Sequence, residues 1–149
     1  MQLPPDELGA SVREALIADV PRLVALASQL GYDVTPKHIE KLLRLPSKKQ
    51  SILVAVVPRA GVVGWVAVAE HESIISARRA EIEGLVVEDE FRGHRIGALL
   101  VKSAEEWGRR RGCTTLRLLS NVVRDRAHSF YEDLGYTLVK TQHAFQKNL

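Results

Sequence analysis

The chain has 149 residues, with 21 Lys and Arg against 18 Asp and Glu, 46% hydrophobic residues and 5% aromatics. That length suits one domain of the usual ~100–200 residues, so a single domain over 1–149 is expected, and a net charge of +3 with few aromatics argues against a nucleic-acid partner. A single cysteine, Cys113, and no His or Cys at zinc spacing exclude a disulfide framework and give no reason to expect a metal; with neither a signal-like start nor ~18 uninterrupted apolar residues, a soluble cytoplasmic protein without a membrane partner is expected.

A polar, proline-bearing leader precedes a short predicted strand over residues 13–18. Asp19 is an N-cap residue type and Pro21 fits a first turn. Leu23, Leu26, Ala27 and Leu30 then recur at helical spacing until Gly31 stops the helix. Thr35 and Pro36 start a second helix with Ile39, Leu42 and Leu43 inward, ending before Pro46. Residues 51–57 and 62–69 are β-branched runs around the turn Pro58-Arg59-Ala60-Gly61, and residues 79–87 extend the meander. A period of two over that third run puts Glu81, Glu83, Leu85 and Val87 on one face and Ile82, Gly84 and Val86 on the other.

Over residues 97–111 Leu100, Val101, Ala104, Trp107 and Gly108 make one helical stripe, closed by Gly112, and a strand is predicted over 114–119. Strand, loop, helix and strand with a short return form the pattern of a right-handed parallel crossover. Asp125 caps a shorter helix carrying Ala127, Phe130, Tyr131 and Leu134, and two short strands are expected over 137–140 and 143–147.

The loop Arg92-Gly93-His94-Arg95-Ile96-Gly97-Ala98 opens the long helix, where backbone N–H groups and the positive helix end converge. Gly93 and Gly97 let the backbone approach an oxyanion, and Arg92 and Arg95 add charge, so the loop can hold a phosphate. It reads equally as a glycine-containing turn with solvated arginines. It is neither a Walker loop nor the dinucleotide fingerprint.

Residues 85–100, Leu-Val-Val-Glu-Asp-Glu-Phe-Arg-Gly-His-Arg-Ile-Gly-Ala-Leu-Leu, resemble the acyl-CoA-binding motif of the GNAT superfamily, Gln/Arg-x-x-Gly-x-Gly/Ala. Arg92 and Gly97 match it, while Arg95 stands at its middle glycine. Asn121, Ala127 and Phe130-Tyr131-Glu132-Asp133-Leu134-Gly135-Tyr136 are similar to the family's later motif, and residues 13–32 to its first strand and helix. The resemblance implies an α/β fold: a mixed, mostly antiparallel sheet of six or seven strands with helices on both faces. It also implies acetyl-CoA as co-substrate, with an amine acceptor, and family members often pair as homodimers.

By the same resemblance the main chain of Leu85, Val86 and Val87 contacts the pantetheine arm. Arg92, Gly93, His94, Arg95, Ile96, Gly97 and Ala98 hold the pyrophosphate, and Asn121 and Phe130 line the cofactor. Tyr131 corresponds to the family's general acid; without the resemblance it is an aromatic on a helix stripe. An amine is unreactive until its ammonium, near pKa ~10, loses a proton. Glu81 and Glu83 are the candidate bases and a lure for a cationic acceptor, or else solvated strand carboxylates; His128 and His143 rank below them. Cys113 has no His–Asn partner pattern, so direct transfer is expected rather than a covalent acyl-enzyme. Arg109, Arg110 and Arg111 read as a solvated helix end. A non-catalytic acyl-CoA-binding domain is the alternative.

Overall fold

The computed structural model describes residues 4–45, 49–119 and 125–149. They fall into two compact units, Met1–Leu118 and Leu119–Leu149. Among the described residues no helix is long and apolar enough to cross a membrane.

The first unit is built on strands β1 (Ser11–Glu14), β2 (Gln50–Val57), β3 (Gly61–Ser73), β4 (Ser76–Val87) and β5 (Leu116–Leu118). They lie side by side in the order β1-β2-β3-β4-β5. The first four pair antiparallel and β5 joins β4 in parallel, as the predicted crossover requires. Helices α1 (Val20–Gln29) and α2 (Pro36–Arg44) follow β1, and α3 (Ile96–Arg110) connects β4 to β5.

The local chemistry explains the boundaries. Thr35 caps α2 through its hydroxyl, which accepts from the His38 N–H at 3.3 Å. Asp19 stands at the start of α1 but does not cap it. Its carboxylate instead accepts from the Arg13 guanidinium at 2.7 and 3.1 Å and from the Leu16 N–H at 2.8 Å, tying β1 to the 3-10 turn Ile17–Asp19. The Arg13 hydrogen bonds hold the Asp19 carboxyl below its ordinary value.

One face of the sheet carries α1 and α2, with Val20, Leu23, Leu26 and Ile39 packed against Val54, Val62 and Val86. The other face carries α3, whose Ile96, Leu100, Val101, Ala104, Trp107 and Gly108 are buried. Each such Leu or Ile contributes roughly 1.5–3 kcal/mol on leaving water. The approach of α3 is close enough that a Cβ on Gly108 would stand 2.9 Å from the Ala80 Cβ.

The face assignment predicted for β4 fails at one point. In its register with β3, Ala67 faces Gly84 but Val68 already faces Ile82, so Glu83 and Gly84 together oppose Ala67. This is a β-bulge, and an extra residue resets the alternation. Glu81, Glu83, Gly84 and Val86 therefore share the α1/α2 face, while Ile82, Leu85 and Val87 share the α3 face. Regular alternation would have put the glutamates with Leu85 and Val87.

In the second unit α4 (Asp125–Asp133) is followed by a turn at Gly135, whose φ is 91°. The Tyr136 N–H donates to the Tyr131 carbonyl at 3.0 Å and closes the helix. The strands expected over 137–140 and 143–147 are not formed: these residues join no ladder, and Leu138, Val139 and Phe145 are exposed. β-propensity is present there, but a strand exists only through its pairing. The sheet of the described residues thus has five strands rather than six or seven.

Candidate functional site

The Arg92–Ala98 loop starts from a 3-10 turn, Asp89–Phe91, and enters α3 at Ile96. Gly93 has φ 84° and Arg95 has φ 62°, both in the left-handed region. The strain falls on the residue that stands at the motif's middle glycine, which gives the physical reason for glycine there. Among the described residues no side chain caps α3, so the N–H groups of Ile96, Gly97 and Ala98 face outward from the helix start, without a carbonyl four residues back inside the helix. Arg92 and Arg95 are exposed beside them, Arg92 in an exposed ion pair with Asp89 at 3.1 Å. His94 stacks at an angle on Phe91, 6.4 Å between ring centres. Uncapped donors, a positive helix end and two exposed cations suit a pyrophosphate, so the chain's own residues fit the phosphate end of CoA.

Upstream, the β4–β5 ladder covers only Ala80–Leu116, Glu81–Arg117 and Ile82–Leu118. It ends one residue before the bulge, and Leu85, Val86 and Val87 pair with β3 but not with β5. Their second main-chain edge therefore makes no ladder with β5, as a strand that receives an amide-bearing arm requires. Arg22 of α1 braces the end of β4: it donates to the Val62 carbonyl at 3.1 Å and to Glu88 at 2.8 Å.

The two strand glutamates differ. Glu81 is nearly buried and bonded to Arg79 at 3.5 Å. Glu83, at the bulge, is 51% exposed, and its Oε1 lies 3.6 Å from Nε2 of His71. The indole of Trp65 covers Gly84 on the same face. Sequence reasoning missed His71 and Trp65, although β3's own alternation, Trp65, Ala67, Ala69 and His71, places them on the glutamates' face once the bulge is known.

In the second unit, Tyr131 lies between Phe130 and Tyr136 in edge-to-face contacts, at 5.0 and 6.1 Å. Tyr131 and Phe130 are half-buried and His143 is exposed, while His128 sits on α4. Asn121 lies outside the described residues. Cys113 is buried, and burial, followed by the nearby Glu70 carboxylate, pushes its thiol above the ordinary value, which disfavours a thiolate. Among the described residues no cluster of His, Cys, Asp and Glu could hold a metal ion.

Known proteins share the family and the fold. The sequence matches the acetyltransferase (GNAT) family over residues 23–136. It is 29% identical over 106 residues to the aminoglycoside N(6')-acetyltransferase type 1 of Klebsiella aerogenes, covering 69% of this chain and 70% of that protein. The aminoglycoside 6'-N-acetyltransferase AAC(6')-Ih of Acinetobacter baumannii superposes with a TM-score of 0.82 at 20% identity, over 95% of this chain and 99% of that one. AAC(6')-Iy, solved with a bisubstrate analogue, CoA-S-monomethyl-acetylneamine, gives 0.82 at 16% identity over 94% and 99%. The chain shares their fold, its uncapped loop and early-ending β4–β5 ladder fit an acyl-CoA, and with the family match over both motifs it belongs to the GNAT acetyltransferase family and is an acyltransferase.

Proposed function

We propose that this acyltransferase moves an acetyl group from acetyl-CoA to a primary amine on a small, cationic acceptor of the aminoglycoside type. The observation that carries the reading is the pair of carboxylates, Glu81 and Glu83, on one face of β4 where its ladder with β5 ends. Glu83, half-exposed and not engaged by Arg79, presents its negative charge to a polycation, and the likeness to an aminoglycoside N(6')-acetyltransferase supports the same acceptor class.

Acetyl-CoA supplies the acyl group as an activated thioester. The α3 N–H groups with Arg92, Gly93, His94, Arg95, Ile96, Gly97 and Ala98 bind the pyrophosphate, and the main chain of Leu85, Val86 and Val87, with Asn121 and Phe130, receives the pantetheine. Glu83, half-exposed and free of the Arg79 bond that engages Glu81, takes the proton from the acceptor's ammonium. Tyr131 holds a proton on its phenol oxygen for the leaving sulfur, a transfer worth about 10²–10⁴ in rate. A single domain spanning both units, a cytoplasmic location, a homodimer and the absence of nucleic-acid partners belong to the same proposal; the family match across 23–136 supports the first of these.

The test is thiol release from acetyl-CoA with neamine, spermidine and lysine methyl ester. Turnover is expected to be fastest with neamine; protection against heat by acetyl-CoA without thiol release from any amine would instead identify a non-catalytic acyl-CoA-binding domain.

A further inference from the structure

Nε2 of His71 is shut off from solvent and, among the described residues, has no partner within hydrogen-bonding distance. A buried nitrogen without a hydrogen bond is costly, and so calls for an explanation. The carboxylate found near it is Glu83, whose Oε1 is 3.6 Å away, just beyond a hydrogen bond. The ring itself is 43% exposed, so His71 spans from solvent to a dry edge beside Glu83.

The strand geometry makes this approach possible. His71 and Glu83 share the α1/α2 face only because the bulge turns Glu83 there. The residues between His71 and the bulge on β3's same face, Ala67 and Ala69, are small and leave room for the two side chains to lean together. Glu81 is engaged by Arg79 and does not compete for the imidazole.

Glu83 needs such a partner. A half-exposed glutamate has three side-chain torsions to order, and a base must stand within hydrogen-bond reach of the proton it takes. Catalytic hydrogen bonds are often long without substrate and tighten in the complex. We propose that His71 is a positioning residue for Glu83: its Nε2–H donates to one carboxylate oxygen and leaves the other aimed at the acceptor's ammonium. The inference rests on Glu83 being the base of the proposed reaction.

The experiment measures kcat and KM for neamine with saturating acetyl-CoA in the wild type, His71→Phe, His71→Gln, Glu83→Gln and the double variant His71→Phe/Glu83→Gln. His71→Phe is expected to lower kcat about tenfold with KM for neamine within about twofold and with unchanged heat protection by acetyl-CoA. His71→Gln, which keeps a donor, restores most of the rate. In the Glu83→Gln background, His71→Phe has no further effect, because the group it positions no longer acts as a base. Loss of rate in Glu83→Gln with full kcat in His71→Phe overturns this inference and leaves the base assignment standing, as does an equal loss in both His71 variants. Full kcat in Glu83→Gln, or no thiol release by the wild type with any of the three amines, overturns the underlying reading and this inference with it.

Discussion

The indole of Trp65 lies so close to Gly84 that a Cβ on the glycine would stand 2.9 Å from Cζ3 of the ring and 3.0 Å from Cη2. Gly84 is the second residue of the bulge that aims Glu83, so this contact joins the core of the α1/α2 face to the candidate base. Gly84→Ala is expected to destabilise the protein by about 1–3 kcal/mol, the usual range for overpacking a filled site. Urea denaturation would show it as a lower midpoint at unchanged slope. Adding Trp65→Leu should recover part of the loss, and additivity of the two changes would rule out the steric explanation.

Arg95 separates the backbone role of its position from its charge. Its left-handed conformation, φ 62° and ψ 19°, costs a non-glycine residue about 1–2 kcal/mol. Arg95→Gly is therefore expected to raise the melting temperature or leave it unchanged, whereas Arg95→Ala keeps the strain and does not raise it. Both variants lose a cation beside the helix start, so both should bind CoA several-fold more weakly, with a shallower dependence on salt. Calorimetric melting and CoA titration at two salt concentrations check the two halves separately.

The Arg13–Asp19 pair sets a pH dependence of stability. Hydrogen bonds from Arg13 hold the Asp19 carboxyl below its ordinary 3.8. A carboxylate with a depressed folded-state value stabilises the fold above its unfolded value, and that contribution fades as pH falls through the folded one. Asp19→Asn should cost about 1–3 kcal/mol at neutral pH, since it weakens a nearly buried acceptor of three hydrogen bonds. The gap between wild type and variant should narrow below about pH 4. Denaturation from pH 7 down to pH 3 measures it; a gap that is constant with pH would dismiss the electrostatic account.

Cys113 is 8% exposed, and burial pushes its thiol up. In the native protein it should react with a disulfide reagent at least about a hundredfold more slowly than a free thiol at pH 8, and at full rate once unfolded in urea. Fast native labelling would mean that the end of α3 opens readily. Cys113→Ser, assayed for thiol release, should leave turnover intact, because the proposed direct transfer uses no acyl-cysteine.

Much of the fold was legible in the sequence because it rests on local signals. The 3.6-residue stripe of α3, the Thr35 cap and the β-branched runs of β2 and β3 each declare an element within a few residues. The loop before α3 was legible for the same reason, since Gly93, Gly97 and the arginines are contiguous with the helix whose N–H groups they adjoin. Asp19 misled because its carboxylate had a choice of partners, and Arg13, in the neighbouring strand, supplied better donors than the helix start.

Only the tertiary structure decided which way the glutamates face. Alternation along a single strand assumes one residue opposite one residue, and the bulge at Glu83 exists only in the pairing with Ala67 of β3. The same holds for His71 and Trp65, whose nearness to Glu83 and Gly84 follows from cross-strand register. Residues 137–140 and 143–147 have strand-forming sequences yet join no ladder, because pairing needs a neighbour as well as propensity. The sequence alone thus determined the helices, the central strands and the glycine-containing loop before α3, whose causes lie within one or two turns of chain; the arrangement of charged groups around the candidate base was decided by contacts between residues far apart in it.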